Sequence, residues 1–132
     1  MTTRRRIFEL FAKERQTPFE WGVSDCLTWC AGVAEALTGQ DPVSHLRGRY
    51  STARGAQRVM VRSGWKDMAD VAASVATEIA PSAACDGDWG WFRNADGTDG
   101  LGVICGAMLV ARGEQGLAQL SRMKVERAFR VE

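Results

Sequence analysis

Between Cys26 and Leu37 the apolar residues Leu27, Trp29, Cys30, Val33, Ala34 and Leu37 are spread around the circumference of a helix and leave it no polar face. Such a helix is stable only when neighbours cover it on several sides, so it must be the central element of the fold. Its limits are written in the flanking residues. Thr17-Pro18 stops whatever precedes it, because proline removes a backbone donor and pushes its predecessor out of helical geometry. Ser24 is a natural N-cap, with Asp25 favoured by the dipole in the first turn. Gly39 closes the far end, and Asp41-Pro42 begins a connector.

Helix formers dominate the first part of the chain. Thr2 or Thr3 can cap a first helix running to about Gln16, with Ile7, Leu10 and Phe11 at helical spacing. Residues 42–50 predict a short helical turn and a loop. Ser51 or Thr52 then caps a helix to about Ser63, closed by Gly64, and Asp67 to about Ala76 forms an alanine-rich fourth. After Pro81 glycine, tryptophan and β-branched residues take over, with recurrent turn signals. Strands are predicted near 88–93, 100–105, 107–112, 116–120 and 125–131, joined by turns at Asn94–Gly97 and Arg112–Gly116. In the last strand Val125, Arg127, Phe129 and Val131 alternate with Glu126, Ala128 and Arg130, as expected for one wet face. The predicted fold class is α+β, with N-terminal helices packed on a C-terminal antiparallel sheet in a single domain spanning 1–132.

A chain of 132 residues that is 45% apolar can fill one core. Its 17 basic and 16 acidic residues nearly cancel, so no global field draws it to nucleic acid or an anionic membrane. No nucleic-acid-binding motif is present either, and no such partner is expected. The opening Met-Thr-Thr-Arg-Arg-Arg imitates a signal-peptide start, but only Ile7, Phe8, Leu10 and Phe11 follow before charge returns. No membrane span and a cytoplasmic site of synthesis are therefore expected. The four cysteines, Cys26, Cys30, Cys85 and Cys105, contain no CxxC pair. They read as free thiols, with Cys30 and Cys105 buried, rather than as disulfides or a metal set, and no cofactor is expected. A four-cysteine iron–sulfur or zinc site is the competing assignment.

The stretch Trp21-Gly-Val-Ser-Asp25-Cys26 sets a thiol within the first turn of the central helix, directly after an aromatic loop. Free amide N–H groups and the helix dipole at such a place favour thiolate over thiol, as a cysteine nucleophile requires. Cys26 fits equally well as a small core residue. Trp21, with Phe19, either walls a cleft beside it or seals the helix end.

In its motifs and their order the chain resembles the NlpC-type cell-wall cysteine peptidases, and most closely a compact branch found in tail-gene modules of phages and prophages. The pieces that carry the resemblance are Phe19-Glu-Trp-Gly-Val-Ser-Asp-Cys26, Gly39-Gln-Asp-Pro42, Leu46-Arg-Gly-Arg-Tyr50, Gly87-Asp88, Gly100-Leu-Gly-Val-Ile-Cys-Gly106 and Ala128-Phe-Arg-Val131. The resemblance implies a papain-like α+β fold in which the helix of Cys26 packs on the sheet. It places Cys26 at the nucleophile position with Asp25 as its motif neighbour. It also places Gly100 where those peptidases carry their catalytic histidine. Glycine cannot shuttle a proton, and Met108, Leu109, Val110 and Ala111 on the next strand offer no polar residue to orient a base.

Cysteine catalysis needs a base that also protonates the leaving group. His45, the only histidine, lies in a connector and is either a substitute base or a surface residue. Asp99, beside Gly100, either faces the same cleft, where its charge would oppose thiolate formation, or belongs to the turn Asp96–Gly100. Arg54, Arg58 and Arg62 form a stripe at helical spacing near Arg47 and Arg49. That stripe is either a solvated face or, with Trp21 at the cleft, a surface that binds partners.

The expected function is a structural protein of a phage or prophage tail, near the tail tip, with a catalytically degenerate peptidase-like fold. Other tail proteins would be its partners. It would be made in the bacterial host cytoplasm and end in the virion tail. The alternative is an active cysteine peptidase or amidase that uses Cys26 on peptidoglycan peptides during genome delivery. A metal-bearing tail component is the third possibility, and it predicts iron or zinc that is lost when Cys85 or Cys105 is replaced.

Overall fold

The computed structural model describes residues 2–132. Helices α1 (Thr3–Glu14), α2 (Cys26–Thr38), α3 (Ala53–Ser63) and α4 (Met68–Val75) precede six strands: β1 (Thr77–Ile79), β2 (Trp89–Arg93), β3 (Asp99–Cys105), β4 (Met108–Gly113), β5 (Gly116–Ser121) and β6 (Arg127–Arg130). The strands form one sheet in the order β1-β6-β2-β3-β4-β5, with every pairing antiparallel. This is the α+β arrangement expected from the sequence. Among the described residues no helix is long and apolar enough to cross a membrane.

Local chemistry accounts for the helix limits. Thr2 caps α1 by accepting from Arg5 N–H, and Thr52 caps α3 by accepting from Gly55 N–H. Gly39 and Gly64 close α2 and α3 in the left-handed region, where a residue without Cβ is unstrained. The cap of α2 differs from expectation. Asp25, not Ser24, is the N-cap: its carboxylate accepts from Thr28 N–H while Asp25 N–H donates to the Thr28 hydroxyl, a reciprocal capping box. Ser24 is already committed, because its backbone bridges to Glu20 in the preceding loop.

Helix α2 is central, as its apolar circumference requires. Leu27, Thr28, Trp29, Cys30, Ala31, Val33 and Ala34 are all buried, between the sheet on one side and α1 on another. The main core joins these residues to Ile7, Trp89, Leu101, Val103, Val110 and Phe129. A smaller cluster of Phe92, Ile104, Leu109, Ala111, Ala128 and Ala84 covers the other face of the sheet.

That second cluster corrects the expectation for the last strand. Ala128 and Phe129 are both fully buried, so β6 has no wet face. The reason is its place in the sheet. The short strand β1, which lies beyond the helical pattern of α4, pairs with β6 and takes the outer edge. Helix α3 is the counterexample to α2: none of its residues is fully buried, and only Val59 and Met60 pack on the main core from one side.

Candidate functional site

Asp25 anchors the site. It is almost fully buried, and each carboxylate oxygen has two donors. Oδ1 accepts from Thr28 N–H at 2.9 Å and from the Thr28 hydroxyl at 3.1 Å. Oδ2 accepts from Gly22 N–H at 2.9 Å and from the Tyr50 hydroxyl at 2.6 Å. One side chain thus fixes the start of α2, the loop before it and the connector after it. Gly22 is required in this arrangement. Its φ is +81°, and a Cβ there would lie 2.1 Å from Tyr50 O. Burial first, and then the hydrogen bond to Asp25, hold the Tyr50 phenol above its usual range.

Cys26 is the first residue of α2 and opens, half-buried, onto a cleft of about 950 Å³. Trp21, Leu27, Tyr50, Met60, Trp65 and Asp99 are among the residues that line it. Burial pushes the Cys26 thiol up to about 12, reinforced by the charges of Asp25 and then Asp99. The backbone N–H groups of Leu27 and Cys26 pull the other way and are outweighed. Helix position alone suggested a thiolate; desolvation and two carboxylates reverse the balance. Cys30, one turn on, is fully buried and held well above the ordinary thiol value, first by that burial.

Alternation along β3 decides what faces Cys26 from the sheet. Leu101 and Val103 enter the core beneath α2, whereas Ile104 enters the cluster on the opposite face. A Cβ on Gly100 would lie 2.6 Å from Phe92 Cζ, so a side chain at 100 points away from the helices. The cleft-facing position is therefore Asp99. Gly100 itself therefore faces the smaller cluster on the far side of the sheet and not Cys26. Asp99 Oδ2 accepts from Trp91 Nε1–H at 2.7 Å and from Met68 N–H at 2.8 Å, which also satisfies a free donor at the start of α4.

His45 is exposed in the connector between α2 and α3 and lies outside the cleft lining. Trp21 lines the cleft, with its ring edge-to-face against Phe19 at 4.9 Å. Arg47 belongs to neither the cleft nor the stripe. It pairs with Asp41 and donates to Thr28 O at 3.0 Å, which ties the connector to α2. Arg49 is exposed. Arg54, Arg58 and Arg62 are also exposed, on the outer face of α3, where with Gln57 and Val61 they border a shallow depression of about 310 Å³. The four thiols do not converge. Cys85 is exposed near Arg130, Cys105 is buried near Arg4, and no cluster of three or more metal-ligating side chains occurs among the described residues.

Two contributors were not foreseen. Tyr50, the only tyrosine, sits in a matched motif, but only the fold brings its hydroxyl to Asp25. Arg112 is the polar residue of β4, one position beyond the apolar run 108–111. It is 2% exposed, has no carboxylate partner among the described residues, and donates to Glu14 O and Ser24 O, each at 3.3 Å, and to Thr17 O. It thereby fastens the end of α1 and the loop before Cys26 to the sheet. An arginine sharing the helix-facing side of Val110 is the signal that could have found it.

The family model of a domain of unknown function, DUF6950, matches residues 1–131. No curated protein matches the chain. Among solved structures, the crystal structure of the NlpC/p60 domain of the peptidoglycan hydrolase SagA is similar, with a TM-score of 0.60 and 18% identity over 99% of this chain and 100% of that one. At that identity the likeness establishes an NlpC/p60-type fold.

Proposed function

We infer that this chain, which belongs to the DUF6950 family and has an NlpC/p60-type fold, is a non-catalytic assembly module derived from a cysteine peptidase, and that it works in a phage or prophage tail. One observation carries the non-catalytic part: the only imidazole of the chain lies outside the cleft, and the sheet position facing Cys26 holds Asp99. A carboxylate beside the sulfur disfavours the thiolate, and it does not replace the imidazole that would take the thiol proton and pass it to a leaving amine. Loss of general acid–base help alone costs about 10²–10⁴-fold in rate. The tail setting rests on the motif resemblance to the phage-tail branch of the superfamily. Neighbouring tail proteins would be the partners, after synthesis in the host cytoplasm. The outer face of α3 supports an assembly role, since Arg54, Arg58 and Arg62 form no ion pair among the described residues and Val61 beside them is 71% exposed.

Two measurements test the proposal. The purified chain is incubated with peptidoglycan fragments and the products are read by mass spectrometry; no cleavage is expected. Co-expression with the tail proteins encoded beside it should yield a complex that reversing charge at Arg54, Arg58 and Arg62 dissolves. Cleavage by the wild-type chain that is abolished in C26A would overturn the non-catalytic reading.

The position of Cys26, at the helix start and open to the cleft, favours a second reading: a peptidase or amidase acting on peptidoglycan with an imidazole donated by another subunit. It predicts turnover only when the partner is present, with the same dependence on Cys26.

A further inference from the structure

We propose that the cleft beside Cys26 binds an extended segment of a partner protein in which a lysine is flanked by apolar side chains, and that Asp99 receives the lysine ammonium. This rests on the non-catalytic reading above and names what occupies the cleft in place of a substrate.

The lining sets the class of ligand. Trp21, Leu27, Val59, Met60, Trp65 and Met68 give the cleft apolar walls over a volume of about 950 Å³, the size of a site for a short peptide segment. A nucleotide or sugar would require several converging free polar groups; here Thr98 is committed to Asp96 and Asp67 to Asp70 N–H and Arg93, which leaves the side chains of Gln57 and Lys66 and one carboxylate. Both oxygens of Asp25 are consumed by the donors of Gly22, Thr28 and Tyr50. Asp99 is the exception. Its Oδ2 is occupied by Trp91 and Met68, whereas Oδ1 has no hydrogen-bond partner among the described residues. Nor is that oxygen sealed from solvent, for among the described residues the buried side-chain polar atoms lacking a partner are the indole nitrogens of Trp29 and Trp89 alone. Lys66, which also lines the cleft, forms no ion pair with it or with any other carboxylate among the described residues.

An apolar cleft with one free carboxylate oxygen selects a cation carried on an apolar segment. The geometry favours lysine over arginine. A guanidinium binds best as a fork to two oxygens, and only one is open here; a compact ammonium needs one. Trp21 and Trp65 line the same cleft, where a lysine's methylene stem would gain from apolar contact.

The probe is the pentapeptide acetyl-Leu-Val-Lys-Val-Leu-amide, titrated into the full chain with tryptophan fluorescence and calorimetry as readouts. The control carries norleucine in place of lysine. The lysine peptide is expected to bind at least about tenfold tighter, as one charge-assisted hydrogen bond provides. In D99N, which keeps an acceptor for Trp91 and Met68, that preference should vanish while the norleucine affinity stays unchanged. Equal binding of the two peptides by the wild-type chain, no binding of either, or a preference that survives D99N would each overturn the proposal. Mass spectrometry of the same mixtures separates the two ideas: a cleaved peptide defeats the non-catalytic reading, whereas an intact, unbound peptide defeats only this one.

Discussion

The reactivity of Cys26 gives the most direct test of the site's electrostatics. Its thiol is pushed from an ordinary value of 9.0 up to about 12, first by burial and then by Asp25 and Asp99. At neutral pH a displacement of that size lowers the thiolate fraction about a thousandfold. A more basic thiolate is a better nucleophile, and a Brønsted coefficient of about 0.4–0.5 restores roughly 15- to 30-fold. Folded Cys26 should therefore react with a small aromatic disulfide about 30- to 70-fold more slowly than the same residue in the urea-unfolded chain. Peptide-resolved mass spectrometry measures both rates in one sequence. Below pH 10 the logarithm of the folded rate should rise by about one for each pH unit, because the titration lies beyond that range. D99N, which removes one of the opposing charges, should raise the rate. A folded Cys26 that reacts faster than the unfolded one, with a plateau near neutrality, would mean that helix position outweighs burial and that the thiol is poised for catalysis.

Five further outcomes follow from the same geometry. G100H should destabilise the chain by roughly 1–3 kcal/mol in urea denaturation by driving a side chain into Phe92, and should leave Cys26 inert; D99H should increase Cys26 reactivity. R112M should lose about 2–4 kcal/mol, because three backbone carbonyls forfeit a charged donor; a melting temperature equal to wild type would show the carbonyls satisfied without it. G22A should cost at least about 2 kcal/mol, since a Cβ there meets Tyr50 O in a left-handed backbone, and a smaller loss would mean that the loop relaxes freely. The raised thiol value of Cys26 favours the folded state fully below pH 9.0, and that contribution fades as pH rises toward about 12. Wild type should thus lose stability relative to C26A by up to about 1.4 kcal/mol per pH unit across this window, as equilibrium unfolding would measure.

The helices were legible because their signals are local: Thr52 and Gly64 bracket α3, and Gly39 ends α2, each through a side chain or dihedral within a few residues. What depended on distant partners was not. Ser24 and Asp25 are equally good caps in isolation, and only the bridge to Glu20 decides between them. Strand β1 exists because β6 needs a neighbour, which nothing in Thr77-Glu78-Ile79 announces. The candidate site turned on a register of one residue. A short motif match fixes a neighbourhood, but in a strand the adjacent position faces the other way, and that separates Gly100 from Asp99. Arg112 escaped because its acceptors are backbone carbonyls of segments remote in sequence.

The two walls of the cleft are held very differently. Cys26 and Asp25 belong to a helix locked on several sides, whereas α3 rests on the core through half-buried contacts alone and ends on the left-handed Gly64. Lifting α3 sacrifices little packing, so hydrogen exchange should be fastest there and slowest along α2 and β3. An occupant would meet a rigid floor and a yielding roof. Its fit would then be set by the floor, and how tightly it is retained would depend on how well it holds the roof down.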